Sequence, residues 1–207
     1  AAIAEALENS LAEKNGPEIV IVLPKESSGW LEQSTMDSLR ARVMERLFAA
    51  DRQGRLRVFY PALDDGETSV YVHSKIMIVD DQLIVIGSAN LSNRSMGFDS
   101  ECNLAIETKD GSTTRKAIVC LRNRLLAEHL GIPSDNAHGA FFDQPSVIRA
   151  IEYLSSSSGR SLRNIDYQQA PPIDGASIVQ DHTILDPEVP IEFDRMMDRF
   201  VQEEDGG

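Results

Sequence analysis

The sequence predicts an α/β domain with a mixed β-sheet flanked by helices, and three observations carry that prediction. Short runs rich in Val and Ile alternate with longer amphipathic runs. Gly, Pro and Asn punctuate the boundaries between them. At 207 residues the chain is long enough to bury a sizeable core.

The elements follow in order. Residues 3–14 are amphipathic and stop at Asn15-Gly16-Pro17, a sequence that ends helices. Residues 18–23 read as a buried strand. Residues 31–52, with Leu31, Met36, Leu39, Val43, Leu47 and Phe48 at helical spacing, read as a long helix that ends before Gly54. Residues 56–60 form the next strand. Residues 70–79 and 83–86 are β-branched runs separated by Asp80-Asp81-Gln82, so they read as two strands joined by a tight turn, and residues 102–106 add another strand. Residues 113–129 are strongly periodic, with Ile118, Leu121, Leu125 and Leu126 inward and Arg115, Lys116, Arg122 and Arg124 on a solvated surface. After Gly131 the texture changes. Residues 145–154 suit a helix that Ser155-Ser156-Ser157-Ser158-Gly159 breaks, Pro171, Pro172, Pro187 and Pro190 favour extended chain, and residues 191–201 suit a short closing helix. The expected organisation is a lobe over residues 1–132, followed by a C-terminal helix and extended tail over 133–207.

Chemistry concentrates in the two β-branched runs. Side chains two apart in a strand share a face, so His73 and Lys75 project together, and Ser88 and Asn90 do the same just beyond the second run. A neutral imidazole, with an ordinary pKa near ~6.5, serves as nucleophile or general base without a metal. The Lys75 ammonium supplies a point charge for a phosphoryl oxygen, and the Ser88 hydroxyl and Asn90 amide add directed donors. An attacking imidazole needs an acceptor on its other nitrogen to fix its tautomer. Glu101 and Asp80 are the two candidates for that acceptor. Together these groups suit attack on a phosphodiester.

The pattern H-x-K-x4-D-x6-G-S-x-N, filled by His73, Lys75, Asp80, Gly87, Ser88 and Asn90, resembles the HKD signature of the phospholipase D superfamily. Similarity extends to Trp30-Leu31-Glu32-Gln33 and Arg55-Leu56-Arg57-Val58 upstream and to residues 121–131 downstream, as in the C-terminal half of bacterial phospholipase D-like proteins. The resemblance implies one phospholipase D-like lobe and a phosphodiesterase or phosphatidyl-transferase activity through a phosphohistidine on His73 or its counterpart. It implies that Lys75, Ser88 and Asn90 bind the phosphate, that Glu101 orients His73, and that Asp80 gives structural and electrostatic support. No cofactor and no metal are implied. Arg94 would mainly shape the loop after the motif, while Trp30 and Tyr71 would line a pocket or simply pack.

Family members use two such motifs, and this chain has one, because His129, His138 and His182 have no Lys two positions on. The resemblance therefore implies a partner lobe, either a second copy of the chain or the other half of a longer polypeptide. A start inside helical sequence without an initiator Met favours the longer polypeptide, and an isolated lobe would bind anions without turning them over.

A net charge of −13 argues against a nucleic-acid backbone as partner, since such binders concentrate Lys and Arg on one face. That favours a phospholipid or another phosphodiester, with peripheral membrane contact, over a nuclease-like homodimer. Cys102 and Cys120 sit in apolar settings and match no metal-site spacing, so buried reduced thiols are expected. With no basic, apolar leader visible, the expected location is the cytoplasm or the cytoplasmic face of a membrane.

Overall fold

The computed structural model of the chain describes residues 2–25, 30–63, 68–97, 99–109, 111–142, 145–155 and 159–165. Helix α1 (Ala2–Ala12) leads into strand β1 (Ile19–Val22), and helix α2 (Trp30–Ala50) crosses over to strand β2 (Leu56–Ala62), which pairs parallel to β1 with Ile19 opposite Leu56. Strand β6 (Ser161–Asn164) closes this sheet on the other edge of β2, antiparallel, giving the order β1-β2-β6. Both pairing modes meet on β2, which makes the sheet mixed.

Alternation along β2 sends side chains to two packed layers. Leu56 and Val58 join Leu11, Ile19, Met44 and Leu47 under α1 and α2. Phe59 faces the opposite way, into a cluster with Leu126, Ala127, Leu130, Ala137, Phe141, Ala150, Ile151 and Leu162. That second layer is built from helices α4 (Thr113–His129), α5 (Ala137–Phe142) and α6 (Val147–Leu154). Residues 137–162 thus contribute to the same core as β2 and α4.

A second sheet is separate and wholly antiparallel. Strands β3 (Lys75–Val79), β4 (Leu83–Gly87) and β5 (Asn103–Glu107) form a three-stranded meander, and the short helix α3 (Asn93–Gly97) lies in the β4–β5 connection. An isolated bridge between Ala62 and Ser69 leads from the first sheet toward it.

The flanking helices and the mixed sheet agree with the expected α/β class, and α4 spans the predicted residues, with Ser112 Oγ accepting from the Arg115 N–H at its start. Several local expectations need correction. The strand predicted from residue 70 begins only at Lys75, because beyond Gly87 the β4 chain turns its hydrogen bonds to Cys102 and Asn103 and leaves residues 71–74 without ladder pairing. On α4 the buried positions are Ile118, Asn123, Leu126 and Ala127, whereas Leu121 and Leu125 are half-buried. Arg122 is not part of a solvated face: it pairs with Asp81 and donates from Nε to Asn123 Oδ1 at 3.1 Å. Cys102 and Cys120 are exposed rather than buried: Cys102 immediately precedes β5, whose residues are all exposed, and Cys120 is at an exposed position of α4. The closing helix expected over residues 191–201 lies outside the described residues.

Candidate active site

The β3–β4 hairpin holds Lys75 and Gly87 at its open end, with His73, Ser88 and Asn90 in the adjoining chain, and Asp80 in its turn. Its register places Lys75 opposite Gly87 at the end of the ladder, two residues after His73 and one before Ser88. Directly opposed residues in an antiparallel pair have Cα atoms about 4.5–5.5 Å apart, which sets the separation of Lys75 and Gly87.

His73 lies just before β3 and is exposed. The Tyr71 ring stacks on its imidazole with centroids 5.9 Å apart and planes 20° from parallel, and Lys75 Nζ donates to the His73 carbonyl oxygen at 2.8 Å. Tyr71, His73 and Lys75 therefore keep the every-second-residue relation of an extended chain even outside the ladder. Tyr71 is 53% exposed, so its packing partner is the histidine ring rather than the core.

Ser88 is held from the β5 side. Its backbone N–H donates to the Cys102 carbonyl at 3.0 Å, its Oγ accepts from the Cys102 N–H at 3.0 Å, and that hydroxyl donates to Glu101 Oε2 at 2.5 Å. Glu101 thus engages Ser88, where the sequence reading assigned it to His73. The next turn is fixed by Asn103, whose Oδ1 accepts from the Ala89 N–H at 3.3 Å. Asn90 is exposed.

Asp80 sits at the other end of the hairpin, five residues along β3 from Lys75, roughly 16 Å by strand rise. It and Asp81 have φ of +53° and +57°, and Gln82 N–H donates to the Val79 carbonyl at 2.9 Å. Two consecutive positive φ values are the requirement of a type I′ hairpin turn, which Asp tolerates better than most residues. Asp81 then pairs with Arg122 of α4, tying the turn to the helix layer of the first sheet. The geometry does not bring Asp80 to the imidazole.

Arg94 lies in the loop after the motif. Its Nε reaches both carboxylate oxygens of Asp99, at 3.0 and 3.1 Å, and the Asp99 N–H returns to the Arg94 carbonyl at 3.0 Å. That arrangement shapes the β4–β5 loop. Trp30 opens α2, but its side chain lies outside the described part of the chain. Among the described residues, no cluster of three His, Cys, Asp or Glu side chains could hold a metal ion, and no described helix is long and apolar enough to cross a membrane.

Three features escaped the sequence reading: the Tyr71–His73 stack, the Asp81–Arg122 pair and the Asn103 tie. The period-two spacing of Tyr71 and His73 was a usable signal for the first. The other two depend on contacts between residues 14 to 41 positions apart, which local patterning does not encode.

Comparison with known proteins agrees with this geometry. The family model for phospholipase D matches residues 60–186. The chain is 47% identical over 99 residues to phospholipase D alpha 2 of Oryza sativa subsp. japonica, covering 44% of this chain and 11% of that protein. It is 44% identical over 116 residues to phospholipase D1 of Schizosaccharomyces pombe (47% and 8% coverage), and 34% identical over 100 residues to a phospholipase D of Phytophthora infestans (43% and 6% coverage). The matched stretch is thus about a tenth or less of those relatives' length. With the family model spanning more than half of the sequence, the chain belongs to the phospholipase D family.

Proposed function

We propose that this chain supplies one half of a phosphodiesterase active site that cleaves a phospholipid diester. In the proposed reaction a histidine nitrogen attacks phosphorus, the bond from phosphorus to the headgroup oxygen breaks, and the histidine of the opposing motif protonates the departing alcohol. Water or another alcohol then attacks the phosphohistidine and regenerates the imidazole. Each in-line displacement inverts the phosphorus, so two of them retain its configuration. His73 fills one of the two histidine roles, and a partner lobe carrying a second HKD motif fills the other.

Lys75, Ser88 and Asn90 serve the phosphoryl oxygens as charge and directed donors, which is most valuable as charge grows in the transition state. The Ser88 hydroxyl rests with its one hydrogen donated to Glu101 Oε2, so in this proposal it turns from that carboxylate to the phosphoryl oxygen when substrate binds. Asp80 supports the site from a distance by holding the hairpin turn. The observation that supports the reading is the register of Lys75 against Gly87, the ladder pair nearest the H-x-K segment and the Ser88–Asn90 turn.

The phospholipid substrate is favoured by the relatives' names and by the net charge of −13, which disfavours a polyanionic nucleic acid. Peripheral contact at the cytoplasmic face of a membrane follows from the same substrate. The test is turnover by the two-motif assembly on mixed phospholipid vesicles and on an oligonucleotide, each with and without EDTA. Headgroup release that survives the chelator, with little oligonucleotide cleavage, is expected. Preferential oligonucleotide cleavage would overturn the substrate assignment, and activity that vanishes in EDTA and returns with a divalent cation would overturn the role given to Lys75, Ser88 and Asn90.

A further inference from the structure

We propose that Asn103 is a positioning residue for the phosphate-binding turn, a role that rests on the functional reading above. Asn103 stands directly across from Gly87, and Gly87 directly across from Lys75, so one row of the second sheet joins all three. Residues opposed in this way project to the same face, which puts the Asn103 side chain on the Lys75 side of the sheet.

The amide of Asn103 crosses over Gly87 to reach the Ala89 N–H at 3.3 Å. Its approach is so close that a Cβ on residue 87 would lie 1.9 Å from Asn103 Oδ1 and 2.5 Å from the Cys102 carbonyl oxygen. Gly87 has no positive φ, so backbone conformation does not explain the glycine. The crossing side chain and the neighbouring strand explain it instead. Ala89 is 8% exposed, and a backbone N–H at such a position needs an acceptor. Because Ala89 lies between Ser88 and Asn90, fixing its N–H fixes the direction in which both flanking side chains leave the strand. Ser88 has its own ties to Glu101 and Cys102, which makes Asn103 the tie next to Asn90.

The experiment compares Asn103→Ala and Asn103→Asp with the unaltered protein in its active assembly, reading kcat, KM for a soluble phosphodiester, and Kd for inorganic phosphate. Asn103 is itself exposed, so the alanine variant removes the tie without opening a core cavity. Asn103→Ala is expected to lower kcat/KM on the order of tenfold, the scale of one lost hydrogen bond to a buried donor, and to weaken phosphate binding. Asn103→Asp keeps the acceptor oxygen and is expected to restore kcat, while its added charge raises KM in a way that salt relieves. An alanine variant with kcat and phosphate Kd within twofold of the unaltered protein would overturn the proposal, as would an aspartate variant with kcat as low as that of alanine. Turnover persisting in His73→Ala would instead overturn the functional reading, and the phosphate Kd would still report on Asn103.

Discussion

The two sheets of this lobe are built to different standards. In the first, β2 alternates between two covered faces, and Leu11, Leu47, Leu56, Val58 and Ile151 are at most 1% exposed. In the second, every residue of β5 is exposed, and Ile76, Ile86 and Leu104, which stand in one row across the sheet, are 37%, 38% and 63% exposed. Yet the HKD motif lies on the strands of the second sheet and the chain that flanks and joins them. A scaffold sheet with helices on both faces supplies the stability, and in the proposed function the more exposed sheet presents the chemistry. Sites that must admit a substrate are drawn from the less buried parts of a fold.

That contrast is sharpened first in the core. Leu47→Ala empties a fully buried position between α2 and the first sheet, and it is expected to cost about 2–5 kcal/mol of stability by denaturant unfolding. The residual folded protein should keep its turnover, because that cluster belongs to the first sheet and its helices, whereas the motif lies along the second. A variant with unchanged stability and lost activity would break the division between the sheets.

A smaller effect is expected from pH. Burial pushes the His129 imidazole below its ordinary value; Glu128 opposes the shift and Arg160 adds to it. The folded state therefore binds this proton more weakly than the unfolded chain does. Stability is full above the unfolded value near ~6.5 and falls as pH drops through the lowered folded value. His129→Gln should flatten that fall in melting temperature between neutral and mildly acidic pH. An identical acid slope in both proteins would remove His129 from the account.

The smallest effect belongs to the open face. Leu104→Ser in the isolated chain is expected to change unfolding free energy by less than about 0.5 kcal/mol, since the side chain is already largely in water. A loss of core magnitude would show that the face is covered in solution.

Legibility in the sequence divides along similar lines. Helix α4 was readable to its ends because Ser112 caps it and Gly131, at φ +66°, follows it. The hairpin was readable because its strands are β-branched and its turn is Asp-Asp. Strand β6 was not, since Ser161-Leu162-Arg163-Asn164 has little strand character and is recruited by pairing with β2. The start of β3 differs for a related reason: residues 71–74 have strand composition but no ladder partner. In the site, residue types and spacing identified the motif, whereas partners such as Glu101 with Ser88 required the β4–β5 register. Exposed Cys102 and paired Arg122 likewise depend on which neighbours tertiary structure supplies.

The most direct test of the central claim, that chemistry resides on the second sheet independently of the stabilising core, is His73→Ala in the two-motif assembly, with turnover and melting temperature measured on the same preparation. His73 is exposed, and its removal takes away an imidazole but no core volume. The account predicts that turnover is abolished while the melting temperature is unchanged. Turnover within about tenfold of the unaltered protein, too small a loss for removal of a nucleophile or general acid, would contradict it.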